Sequence, residues 1–179
     1  TGAYTVTQNA AVVHPLGGAE NDVSFTLNYT VTDGDLDTAP GTLVINIDDD
    51  TPIAVAGSQA GTVDEDGLAN GITVAQTGDV AGAALSATGS VTGLFNAGAD
   101  TPLTYQLSGS TAGLTALGLT SGGVAVTYAL VGNVLTASAG ATPVFTLTLN
   151  TTTGQWAFVL SAPPDHANGA SENDITLAF

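Results

Sequence analysis

Three short runs of carboxylates carry most of the chemistry this sequence can offer. Asp33, Asp35 and Asp37 alternate with other residues in VTDGDLD, Asp48, Asp49 and Asp50 are contiguous in INIDDDTP, and Asp64, Glu65 and Asp66 are contiguous in VDEDG. These nine belong to a total of 16 acidic residues, and no lysine or arginine answers them, so the formal net charge is −16. Clustered carboxylates are hard oxygen donors, and roughly six to eight such oxygens, backbone carbonyls included, are what Ca2+ takes. All nine are therefore candidate Ca2+ ligands; the competing reading is an acidic, solvated surface that aids solubility. An EF-hand is excluded: DGDLDTAPGTLV has Thr38 where the loop requires glycine and Val44 where it requires glutamate.

The same balance excludes partners. Nucleic acid and anionic membrane surfaces need cations on the protein, and this chain has none beyond two histidines. The absence of cysteine removes disulfides, thiol catalysis and cysteine-type zinc sites. With 44% hydrophobic and only 9% charged residues, the chain can nevertheless bury a core. Its most apolar stretch, Gly113 to Gly140, is interrupted by Thr, Ser, Gly and Asn and reads as alternating segments, not as a membrane span. No signal peptide is present at Thr1, and the sequence reads as a piece of something longer.

Self-comparison supports that reading. Residues 1–27 align without a gap on residues 153–179, with identity at Thr1/Thr153, Gly2/Gly154, Ala10/Ala162, His14/His166, Gly17/Gly169, Glu20/Glu172, Asn21/Asn173 and Asp22/Asp174. Apolar character is kept at Tyr4/Trp156, Val6/Phe158 and Val23/Ile175. The chain is one period of a tandem array plus an overlap.

Elements to position the carboxylates follow from period-2 alternation, which predicts strands at 4–8, 23–32, 42–47, 103–107, 124–130, 133–138, 143–150 and 155–160, with turns at 121–123, 131–133 and 151–154. Leu43, Ile45 and Ile47 should share one face, Val44 and Asn46 the other. No helix start is followed by a helical apolar period. The expected fold is all-β, most economically an Ig-like or cadherin-like β-sandwich with Greek-key connections. Residues 53–61 read as a junction, 1–52 as the last strands of one repeat, folding back onto the next or relying on residues before it, and 62–179 as the main repeat. On that plan the three acidic runs should meet at one junction.

The linked motifs YTVTDGDLDTAPGTLVINIDDDTP, VDEDGLANGI, GLTSGGVAVTYAL and ENDITLAF resemble the long repeats of giant type I-secreted bacterial adhesins, of the RTX and biofilm-associated class. The resemblance spans nearly the whole chain. It implies an extender or scaffold repeat, strung with neighbouring repeats into a fibre on the bacterial cell surface. It further implies a secreted, extracellular location, stiffening by Ca2+ at domain junctions, and a role in adhesion and biofilm formation. A surface or glycan ligand would be met through other domains. The family loop reads Asp-x-Asp-Gly-Asp; here Leu36 stands in place of the glycine, and Asp33-Gly34 precedes it. Alternatives are a carbohydrate- or protein-binding module, with the stretch 81–100 as its platform, a split scaffold around one, or a filament subunit exchanging strands through its overlap.

Other residues decline chemical roles. His14 and His166 read as loop histidines capping backbone groups; Asp165 adjoins the second, but no nucleophile motif accompanies them, and no enzyme is expected. Glu20-Asn21-Asp22 and Glu172-Asn173-Asp174 read as turns preceding strands, with a second Ca2+ position as the alternative. Trp156 and Tyr4 read as core anchors.

Overall fold

The computed structural model describes residues 2–15, 17, 20–71, 82–99, 101–166 and 174–179. Its strands are β1 (Val23–Thr32), β2 (Thr38–Ile47), β3 (Ile53–Ala54), β4 (Ser86–Ser90), β5 (Phe95–Asn96), β6 (Thr120–Ser121), β7 (Val124–Val131), β8 (Val134–Ala139), β9 (Thr142–Leu149) and β10 (Gln155–Leu160). One short helix, α1 (Ala112–Ala116), precedes β6. The architecture is all-β, as the alternation predicts. By contact density the chain divides into two compact units, residues 1–54 with 95–103, and residues 55–94 with 104–179.

In the first unit β1 and β2 form an antiparallel hairpin, Val23 opposite Ile47 and Thr32 opposite Thr38. Leu43, Ile45 and Ile47 are half-buried while Val44 and Asn46 are exposed, the facing expected from period 2. The tip is closed by Asp33 N–H donating to Asp37 O (3.0 Å) and Leu36 N–H to Asp33 O (3.3 Å). Leu36 takes φ +79°, the left-handed residue that follows the turn in a three-residue hairpin loop. β3 and β5 add a second, two-residue ladder.

In the second unit six strands pair in the order β4-β10-β9-β8-β7-β6, a sheet that curls. β6 to β10 are neighbours in chain order, so short turns suffice to connect them. Alternating residues of β8 (Leu135, Ala137), β9 (Phe145, Leu147) and β10 (Phe158, Leu160) turn to one face and, with Leu114 of α1, make the core. The register shifts at Ala137/Ser138, where Ala137 faces Phe145 and Ser138 faces Pro143. Val144 is the extra residue of that bulge, and the bulge lets Val144 and Phe145, adjacent in sequence, both be buried (0% and 1% exposed).

Four expectations change. Residues 4–8 form no strand, and Tyr4 is 67% exposed, so it anchors no core; unlike its counterpart in β10, it has no neighbouring strand among the described residues. Residues 103–107 keep the alternating burial of a strand, but their backbone is tied to Thr151 O and the Asn133 side chain, with no ladder. β4, in the stretch 81–100 where no strand is predicted, is the edge of the main sheet; its SATGS sequence has no large apolar residue to show a period. α1 is a single turn with one buried residue, Leu114, too short to display helical periodicity.

Candidate metal centre

The nine candidate carboxylates divide by what their local backbone asks of them. At the hairpin tip, Asp33, Asp35 and Asp37 each place a carboxylate oxygen within 4.8 Å of the others, and all three residues are exposed. The turn brings them together: Asp33 Oδ1 accepts the N–H of Asp37 (2.8 Å) and of Asp35 (3.3 Å), folding the loop around its own side chain. A side-chain hydrogen bond with Asp35, then the Asp37 N–H, holds Asp33 below the ordinary carboxylate range. The donor set fits a hard divalent cation, with three carboxylates supplied and the other positions left to carbonyls or water.

The second run does not join this one. Ten-residue strands separate the tip from Asp48–Asp50 at the open end of the hairpin, a span of about 30 Å at strand rise. Convergence of the first two acidic segments on one junction is thereby corrected; the ladder itself forbids it. Asp48 instead pairs with Asp22. Their side-chain hydrogen bond and mutual repulsion come first, with smaller contributions from burial, Glu20 and Asp49, and together they raise Asp48 above the ordinary range. Asp49 accepts the N–H of Asn21 (3.2 Å) and of Asp50 (3.0 Å). Asp50 accepts the N–H of Ala99 (2.7 Å), its carboxylate filling the space beside Gly98.

Asp64–Asp66 lie in the second unit. Asp64 caps a single 3-10 turn at Glu65–Gly67, accepting Asp66 N–H at 2.9 Å. Glu65 Oε1 meets His166 Nε2 at 2.9 Å. The half-buried Asp66 sits within that turn. Local structure therefore engages Asp48, Asp49, Asp50, Asp64 and Glu65, while the hairpin tip alone gathers three carboxylates among the described residues.

The participation of Glu20 and Asp22 was legible only through register. Thr32 opposite Thr38 at the tip leads, residue by residue, to Asp22 opposite Asp48, so the hairpin loop predicts the acidic pair at the far end. Thr51 donates to Glu20 Oε1 at 2.8 Å there. In the equivalent repeat, Glu172 and Asn173 lie outside the described residues, and Asp174 is exposed.

The histidines are structural, in two different ways. His14 Nδ1 lies 2.7 Å from Asn21 O, and a carbonyl only accepts, so that nitrogen carries the proton; Asp49 Oδ1 is 3.7 Å away. His166 faces Glu65 instead. Asp165, next in the chain, turns elsewhere: it accepts the N–H of Gly122 and Gly123, both at 2.8 Å. Those glycines take φ +58° and +76°, the pair of positive values that a type I′ turn between β6 and β7 requires. A hydrogen bond from Thr120, then these two N–H groups, lowers Asp165. No helix is long and apolar enough to cross a membrane among the described residues. No family model, curated protein or solved structure matches the chain.

Proposed function

We propose that the chain is an extender repeat of a secreted bacterial surface adhesin, and that the tip of its β1–β2 hairpin binds Ca2+. On this reading each period completes an Ig-like or cadherin-like sandwich with Greek-key connections when its neighbours are present. The repeat projects a distal binding domain, works at the cell surface, and performs no catalysis. One observation carries the proposal: Asp33, Asp35 and Asp37 converge within 4.8 Å in a chain without a single lysine or arginine. A charge-compensating cation must then come from the surroundings, and extracellular fluid supplies millimolar Ca2+, the affinity range of extracellular modules.

Of the nine candidates, the tip triad is assigned the ion. Asp48, Asp49, Asp50, Asp64, Glu65 and Asp66 are assigned to local structure within their own segments. Isothermal calorimetry of the full chain with Ca2+ is the test, read beside small-angle scattering of two-repeat chains. Saturable binding with a longer particle supports the proposal, and absence of heat and of stabilisation at about 10 mM Ca2+ removes it.

A further inference from the structure

The segment 174–179 lies against the core of the second unit although it belongs to no strand. The Phe179 ring sits 6.1 Å from Phe145 and 6.0 Å from Phe158, and Leu177 packs on the same core. Among the described residues this segment makes no backbone hydrogen bond. It lines a groove of about 1080 Å3 whose apolar wall includes Phe145, Leu147, Trp156 and Phe158.

The repeat identifies what rests there. Ile175, Leu177 and Phe179 are the counterparts of Val23, Phe25 and Leu27. In β1 those three share one face and stand opposite Ile47, Ile45 and Leu43. Phe25 and Leu27 remain 46% and 57% exposed on that hairpin. One copy of the sequence therefore lies along the groove without a ladder, and the other has the ladder while Phe25 and Leu27 on its apolar face stay exposed. An isolated two-stranded hairpin is marginal in water and gains most from a surface that covers such a face.

We infer that the groove of the second unit is a hairpin seat, and that it takes the β1–β2 hairpin of a second copy of this chain. Val23, Phe25 and Leu27 of the incoming copy take the places of Ile175, Leu177 and Phe179. The hairpin arrives with its strands already paired, so it loses less conformational freedom on docking than the unpaired segment 174–179 does. Donor face and acceptor groove are different surfaces, which makes the contact heterologous: copies join head to tail into open chains, not closed two-fold dimers. Neither surface contains the tip triad, so this inference stands or falls apart from the Ca2+ proposal.

Sedimentation velocity of the full chain, in chelator and at about 0.3 M salt to screen the charge, tests it over concentrations from about 1 μM to about 1 mM. Trp156 is the only tryptophan and lines the groove, so its emission reports occupancy in the same samples. The wild-type chain should form a concentration-dependent series of oligomers with a matching change in Trp156 emission. Phe25→Asp with Leu27→Asp should abolish both. Leu177→Asp with Phe179→Asp should lower the association midpoint at least tenfold by vacating the seat, whereas indiscriminate hydrophobic aggregation would weaken on losing two apolar residues. A wild-type chain that stays monomeric throughout overturns the inference, as does association that survives the Phe25/Leu27 change. If that change shifts Trp156 emission equally at every concentration, the groove holds the chain's own hairpin, and the second copy is ruled out.

Discussion

Trp156 stands directly opposite Gly89 in the β4–β10 ladder, and its indole occupies the space a side chain at position 89 would need. A Cβ there would lie 2.6 Å from three indole atoms. The hairpin repeats the device, with Tyr29 opposite Gly41 and its ring over the glycine. An aromatic side chain shielding a cross-strand glycine compensates the backbone freedom that glycine brings to a strand. Gly89→Ala should force the indole outward and destabilise the second unit by about 1–3 kcal/mol, the usual range for overpacking. Urea unfolding followed by Trp156 emission measures it. An unchanged midpoint would show that the indole moves aside freely.

Leu36 occupies a left-handed position, φ +79°, while its side chain is 79% exposed. Nothing packed is lost by removing that side chain, and a non-glycine residue in this region is strained by roughly 1–2 kcal/mol. Leu36→Gly should therefore stabilise the hairpin, by about 1 kcal/mol once the added freedom of the unfolded chain is subtracted. Amide hydrogen exchange of Val31 and Ala39, the hydrogen-bonded pair nearest the tip, reads the hairpin selectively. Slower exchange is expected, and faster exchange refutes the strain argument.

These two sites show what the sequence made legible. Alternation located β1, β7 and β10 because each carries large apolar residues at every second position. It missed β4, whose partner Trp156 supplies the bulk that Ser86–Ser90 lacks; a strand built of small residues has no period to read. The acidic runs were visible as composition, but their separation was not. Whether Asp33–Asp37 and Asp48–Asp50 meet depends on the register of the strands between them, and the ladder from Val23–Ile47 to Thr32–Thr38 puts them at opposite ends. The bulge that buries Val144 beside Phe145 breaks the period in the same way.

Register also gives the pH dependence of the hairpin's open end. Asp48 is raised above its ordinary 3.8, first by its hydrogen bond with Asp22 and then by that neighbour's charge. The folded protein thus holds this proton more tightly than the unfolded chain does. Its contribution to stability is fully present below 3.8 and is lost as pH rises through the raised folded value. Asp48→Asn should keep a donor toward Asp22 at every pH. The variant should therefore melt higher than wild type at neutral pH, with the gap closing as pH falls toward 3.8. Asp33 and Asp165, both lowered, act with the opposite sign: their stabilisation is present above 3.8 and disappears as pH falls through their depressed values. Melting curves of wild type and Asp48→Asn from acid to neutral pH separate the two contributions. A gap that persists at low pH would locate the effect elsewhere.

The hairpin tip and the open end predict different responses to Ca2+. The tip gathers the oxygens of Asp33, Asp35 and Asp37, whereas Asp49 and Asp50 already accept backbone N–H groups from Asn21 and Ala99. Binding to the folded state alone raises the melting temperature according to ligand concentration over dissociation constant, a rise of a few °C for a millimolar site at about 10 mM Ca2+. Asp35→Asn with Asp37→Asn should abolish that rise while leaving the metal-free chain folded, since these changes preserve the Asp33 side chain that closes the loop and also reduce repulsion. Asp50→Asn should do the reverse, lowering the metal-free melting temperature by weakening the bond to Ala99 yet keeping the Ca2+ increment. Replacing Ca2+ with Mg2+ sharpens the comparison. The smaller ion demands near-octahedral geometry and parts with its water reluctantly, so a flexible surface loop should favour Ca2+ by at least tenfold. Equal increments with both ions would mark the tip as a diffuse negative patch, and the Asp35/Asp37 variant would then respond to salt alone.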